Sequence, residues 1–235
     1  MIKKIIFFLS LMKRKLKFKK NSYSFNGMDL IINYIFKDKS KGFYIDIGAQ
    51  HPISNNNTYL LFKRNWSGIN IDLDKKNIDL FNLARPNDIN LNLALSNKVG
   101  IENLYYYHDG SPINTLSDKI YYSRIEPTKK IKSIKTDTLN NLLERLNFDK
   151  QIDYMNIDVE GYEDKVLEGF DIQKYKPSVI SVEYLDLKLN KLELQNNEIQ
   201  NILSSNLYKF LTNNDYYFVN WLHADLVFVH KNLRN

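Results

Sequence analysis

Apolar residues follow two rhythms along the chain. Short continuous runs at residues 42–47, 68–73, 89–95, 154–159 and 178–184 are too brief for buried helices and read as strands packed on both faces. Further extended segments are predicted at 102–107, which is rich in tyrosine, at 130–135, and near 208–211 and 226–230. Stretches with apolar residues three and four apart lie between them, at 54–64, 75–83, 162–167 and 192–204. Thr138 precedes Leu139, Leu142, Leu143 and Leu146, the pattern of an amphipathic helix behind a hydroxyl cap. Strands alternating with helices predict an α/β fold with a mostly parallel sheet covered on both faces. The last two extended segments have no helix-length spacer and are expected to pair antiparallel. No repeat or linker interrupts residues 21–235, which read as one domain behind an arm of residues 1–20.

Composition narrows the chemistry. The 235 residues are 43% hydrophobic and 13% aromatic, enough for a substantial core. The absence of cysteine excludes disulfides, thiolate metal sites and cysteine nucleophiles. With four histidines, any metal site has to lean on carboxylates. The chain has 27 Lys but only 4 Ala, a bias that looks like coding composition and weakens the signal of any single Asn or Lys.

The net charge of +6 is unevenly spread. Residues 1–20 hold seven Lys, one Arg and no acid, whereas the remainder carries 25 basic and 27 acidic residues. A body at −2 is not a nucleic-acid-binding domain. The arm's apolar stretch, residues 5–12, is far short of the roughly 20 residues a bilayer core requires. Basic residues follow it where a signal peptide would carry a small-residue cleavage site. Two readings stand: an anchor on an anionic membrane surface, or a solvated arm.

In open sheets of this kind ligands sit beyond the strands' carboxyl ends. Asp46-Ile-Gly48-Ala49-Gln50-His51-Pro52 closes the first run and Asp72-Leu73-Asp74 the second. Gly48 permits a tight turn and close approach to a ligand, and an acid ending the second strand can accept from both ribose hydroxyls. Neither the G-x-G-x-x-G turn nor a P-loop is present, so no pyrophosphate or triphosphate cradle is expected. A ribose-bearing cofactor without phosphate fits better, namely S-adenosylmethionine. A nicotinamide-dependent oxidoreductase and a noncatalytic membrane-tethered binding protein are the rival readings.

Residues 45–74, with I-D-I-G-A-Q-H-P at one end and N-I-D-L-D at the other, resemble the FkbM family of S-adenosylmethionine-dependent methyltransferases. So do I-N-L-N-L-A-L-S-N at 89–97, S-P-I-N-T-L-S at 111–117, T-D-T-L-N-N-L-L at 136–143, I-D-Y-M-N-I-D-V-E-G-Y-E at 152–163 and A-D-L-V-F-V-H at 224–230. The resemblance implies a class I methyltransferase, a Rossmann-like three-layer sandwich whose seven-stranded sheet ends in an antiparallel strand. It also implies O-methylation, often of a sugar hydroxyl. Carried over by position, Asp46, Gly48 and Ala49 line the methionine end with Gln50 and Asp158 beside them. Asp72 holds the ribose, and Leu73, Ala94 and Leu95 flank the adenine, with Asn92 or Ser96 adding a polar contact. Gln50 stands where close relatives are expected to carry histidine, so His51 is the histidine left in this turn.

Alternation puts Asp158 and Glu160 on one side of an extended segment at a strand's carboxyl end. An alcohol needs a base within reach to become a nucleophile at neutral pH, and Glu160 is the first choice, with Asp158 and His51 behind it. Glu183 would complete an acidic cluster able to hold a hard divalent cation such as Mg²⁺. The competing reading has one acid capping the helix near Tyr162 or pairing with Lys165. His108, Ser111, Asn114 and Thr115 form a polar loop expected to close over the acceptor, with the tyrosines at 105–107 either stacking on a sugar ring or structural. Trp66, Trp221 and His223 read as packing or surface residues. The expected protein is a cytoplasmic O-methyltransferase acting on a glycan or glycolipid hydroxyl, held peripherally on the inner face of a membrane by residues 1–20.

Overall fold

The computed structural model describes residues 2–18, 21–124, 130–185 and 199–234. Ten strands form two sheets: β1 (Phe43–Ile47), β2 (Ser67–Asp72), β3 (Ile89–Asn92), β4 (Ala94–Leu95), β5 (Gly100–Tyr106), β6 (Lys130–Asp137), β7 (Tyr154–Ile157), β8 (Val179–Glu183), β9 (Tyr216–Leu222) and β10 (Asp225–His230). The main sheet has seven strands in the order β3-β2-β1-β7-β8-β10-β9. Pairing is parallel from β3 through β8, and β10 is antiparallel to both β8 and β9. The final strand is thus the one that runs against the others, the Rossmann-like arrangement expected of the sequence.

Alternation along β1 explains the layers. Phe43, Ile45 and Ile47 enter one apolar cluster with Leu139, Leu142 and Leu143 of the helix Leu139–Arg145, Val166 and Leu167 of Glu163–Glu168, and Leu207 and Leu211 of Asn206–Asn213. Tyr44 enters the other, with Met28 and Ile32 of the helix Met28–Ile35, Leu61 and Trp66. Each fully buried Leu or Ile side chain in these layers contributes about 1.5–3 kcal/mol. Thr138 caps its helix as expected, accepting from Asn141 N at 3.0 Å.

Three elements depart from expectation. The helix expected over 54–64 shrinks to Tyr59–Phe62, because Asn55 turns through φ 50° and the Asn56 side chain is drawn inward to Asp46. The run at 89–95 breaks at Leu93, whose N–H bonds to the Asp72 carbonyl, and β4 passes to a second sheet of order β4-β6-β5. Residues 208–211, expected to be a strand, lie in the helix Asn206–Asn213: Ser205 caps Tyr208 N at 3.1 Å, and Leu207 and Leu211 bury together at helical spacing. The strand near the C-terminus that pairs with β10 is β9 instead. Of the helix expected over 192–204, residues 199–204 are helical and 192–198 lie outside the described residues.

Residues 2–18 form a helix whose described side chains are exposed. Among the described residues no helix is long and apolar enough to cross a membrane.

Candidate active site

The carboxyl ends of β1, β2 and β7 meet at a glycine. Gly48 has φ 78°, and a Cβ there would lie 1.7 Å from the Asp158 carbonyl oxygen. Its N–H and that of Ala49 both donate to the Ile71 carbonyl, at 2.9 and 3.1 Å. This pinch opens a narrow slot lined by Gly48, Gln50, Asp72, Leu73, Asn77, Ala94, Leu95, Ser111, Pro112, Asn114, Asp158 and Glu160, among others. Asp72 accepts from Gln50 N at 2.9 Å through one oxygen and from Asp74 N at 2.7 Å through the other. Burial pushes its pKa up to about 6 against the pull of those two N–H groups. The Asn77 side chain adds a third hydrogen bond, and the carboxylate keeps acceptor capacity for a further donor.

A second, wider cavity adjoins the first and shares Gly48, Gln50, Pro112, Asp158 and Glu160 with it. Its other walls come from Phe25, Asn26, Asp46, Ala49, Asn55, Asn56, Asn57, Asn156, Glu183, His223 and Asp225. Among the described residues neither wall carries a lysine or arginine. Asp46, 1% exposed, accepts from Asn156 at 2.9 Å, Asn56 at 3.0 Å and Thr58 at 2.8 Å. Fully buried Arg85 braces those partners, donating to Asn56 at 2.8 Å and Thr58 at 2.9 Å.

Where the cavities meet, carboxylates crowd together. Strand β7 ends at Ile157, and Glu160 sits at φ 58°, so Asp158 and Glu160 belong to a turn and not to the extended segment the sequence predicts. They nevertheless converge: Asp158, Glu160 and Glu183 each place one oxygen within 4.8 Å of the others, a spacing that could hold a hard cation. Burial, reinforced by neighbouring carboxylates, holds Asp158 and Glu183 well above the usual carboxylate range. Glu183 Oε2 is buried without a partner. Burial likewise raises Glu160 to about 7, while the Arg124 guanidinium, 2.7 Å from its Oε2, draws it back down.

Glu163, outside that cluster, braces the turn before the helix Glu163–Glu168, accepting from Val159 N at 2.9 Å and Gly161 N at 3.1 Å, while the helix's N-cap residue Tyr162 makes no side-chain cap bond. Lys165 pairs with Glu168 at 2.9 Å.

Several expected residues stand elsewhere. His51 is on the wall of neither cavity, and its Nδ1 accepts from Ile53 N and Ser54 N in a turn. Ser96 is fully buried off both walls, and Asn92 lies outside them, donating to the Asp72 carbonyl at 3.1 Å. Asn114 does line the slot, oriented by Tyr107 N at 2.8 Å and the His108 carbonyl at 3.0 Å. Thr115 is buried and donates to the Glu160 carbonyl at 2.7 Å, tying the loop to the turn that carries Asp158 and Glu160. His108 is exposed outside both cavities. Tyr105 stacks on Tyr121 at 4.2 Å and Tyr106 bonds Asp109, so both are structural. His223, expected to be packing or surface, is on the wall of the second cavity.

The Methyltransferase FkbM domain model matches residues 46–210, which carry the slot, the whole acidic cluster, four complete strands of the main sheet and the end of β1. The chain belongs to the FkbM methyltransferase family. Comparison with curated proteins and with solved structures finds no match. Family membership makes the chain a methyltransferase and implies S-adenosylmethionine as donor. The slot fits that donor: a carboxylate faces the ribose position, Leu73, Ala94 and Leu95 offer apolar surface to a base, and no cationic side chain stands where a phosphate would need one. In this FkbM-family protein the residues at the candidate site that sequence reasoning missed are Arg124, beside Glu160, and Asp225, Phe25 and the asparagines at 26, 56, 57 and 156 on the cavity wall. The asparagines were masked by the composition, and the others carry no local motif.

Proposed function

We propose that this FkbM-family methyltransferase transfers a methyl group to a hydroxyl of a carbohydrate, with the donor in the narrow slot and the acceptor in the wider cavity. The observation that carries the reading is the junction: both cavities open onto Glu160, whose carboxyl titrates near neutrality. S-adenosylmethionine supplies a methyl group on positively charged sulfur. Asp72 binds the ribose hydroxyls, and the positive charge of the bound donor favours the ionised form of Asp158 and Glu183 beside its cationic end. Asp46, already held by three side chains, sets Asn56 and Asn156 in the acceptor wall. Glu160 takes the acceptor's hydroxyl proton as its oxygen attacks, and positioning supplies the rest of the acceleration. Asparagines and carboxylates without a basic side chain suit a neutral polyol, since they can both donate to and accept from sugar hydroxyls.

The partnerless Glu183 oxygen favours a second reading of the same junction, in which a divalent cation such as Mg²⁺ binds Asp158, Glu160 and Glu183 and lowers the pKa of the hydroxyl. Calorimetry with MgCl₂ on the wild type and Glu183→Gln decides it, with heat in the first and none in the second if the cation is resident.

Incubation of candidate glycans with deuteriomethyl-labelled donor, followed by mass spectrometry, tests the function. Label on a sugar oxygen is expected, and label found solely on amines contradicts the proposal. Asp72→Ala should weaken donor binding by about 1–3 kcal/mol in calorimetry, the scale for charged hydrogen bonds left unmade.

A further inference from the structure

The helix Ile2–Phe18 is about 25 Å long at 1.5 Å per residue. Ile5, Ile6, Phe8, Leu9, Leu11 and Met12 on it are 40% to 61% exposed. Ile5, Leu9 and Met12 share one face by their spacing, and exposed Lys4 and Lys13 flank the apolar stretch. Such a cluster of large apolar side chains is costly in water and calls for a cover. A second copy of the chain is a poor cover, because each arm brings eight positive charges and no acid. A nucleic acid would use the charges but leave the apolar residues in water. An anionic lipid surface satisfies both, with apolar side chains at the acyl boundary and lysines among headgroups.

The chain downstream ties this helix to the second cavity. Three residues lie between Phe18 and Ser22, four steps along the chain with a reach of at most about 14 Å. Ser22 Oγ and Tyr23 N bond the Asp29 carboxylate at 2.6 and 2.7 Å, fixing the segment to the body. Phe25 and Asn26 then form part of the cavity wall, Phe25 being 75% exposed with its ring edge against His223.

We infer that residues 2–18 dock the protein on an anionic bilayer surface and that the docked protein holds the Phe25 rim of the second cavity at that surface. The docking stands independently of the methyl-transfer reading. Combined with that reading, it makes the acceptor a molecule presented by the bilayer.

The chain contains no cysteine, so Leu9→Cys and Phe25→Cys each create one labelling site for an environment-sensitive dye in the full-length protein. Vesicles of phosphatidylcholine with 30% phosphatidylglycerol should blue-shift the dye at both positions, and pure phosphatidylcholine should shift neither. The double variant Lys4→Glu/Lys13→Glu should lower the vesicle partition coefficient at least tenfold, as about one unit of favourable energy per basic residue is reversed. No shift at residue 9, or an equal response to neutral vesicles, overturns the docking. A shift at residue 9 without one at residue 25 overturns the placement of the rim. Calorimetry with S-adenosylmethionine on the same labelled proteins tests the donor slot separately, so failure of one inference is distinguishable from failure of the other.

Discussion

Gly48 combines a left-handed φ with an approach to the Asp158 carbonyl that leaves no room for a methyl group. Gly48→Ala therefore meets backbone strain and a clash with main-chain atoms together, and parting β1 from β7 would open the slot. Donor binding should fall below detection in calorimetry while far-UV circular dichroism stays native-like. Arg124 acts on the reaction through Glu160. It is held by the Ile113 carbonyl and lies 5.4 Å from the Tyr107 ring, so its guanidinium is fixed beside the carboxyl. A base must be ionised, so kcat/KM is expected to rise with pH through a midpoint near 7. Arg124→Ala removes the group that pulls this pKa down and should move the acidic limb to higher pH. Glu160→Gln should depress kcat across the whole pH range with donor affinity nearly unchanged. A limb that stays in place in Arg124→Ala reduces the arginine to a structural role.

The turn between β7 and the helix Glu163–Glu168 has its own pH signature. Glu163 is raised from an ordinary 4.5 to about 7, first by burial. Between those values the folded chain holds a proton that the unfolded chain has lost, so its contribution to stability falls as pH rises through that window. Glu163→Gln keeps the oxygen that accepts from Val159 and Gly161 and removes the titration. Its melting temperature should decline less than the wild type's between pH 5 and 8. The sequence offered one of the clustered acids as a helix cap, and the hold of Glu163 on this turn was not legible, because the left-handed Glu160 that bends the turn carries no local signal. Strands β1, β2, β7, β8 and β10 were legible because continuous apolar runs have few other uses. The helix Asn206–Asn213 was not, since Tyr208 to Leu211 reads equally well at either period and Ser205 decides it only through its cap. Asn156 and Asn57 meet across 99 residues, a contact no local pattern announces.

At the scale of the molecule, the loop of residues 107–117 borders the slot and is tied to the segments that follow β2 and β7. Gly110 N donates to Asp74 at 2.5 Å and Thr115 to the Glu160 carbonyl. A ligand occupying the slot must pass or displace Ser111, Pro112 and Asn114. Saturation with S-adenosylmethionine is expected to slow amide hydrogen exchange over residues 107–117 more than over β9, because ligand binding to the native state alone suppresses openings by mass action. Equal slowing in both places would mean that the loop does not gate the slot.

The walls that belong to the wider cavity alone come largely from three stretches distant in the chain, at residues 25–26, 55–57 and 223–225. The reversal of β10 brings the last of these beside the end of β8. None of the three lines the slot. Under the reading above, the choice of what receives the methyl group can drift through these peripheral segments while the grip on the methyl source is left intact, a division of labour that lets one scaffold acquire new customers without relearning its chemistry.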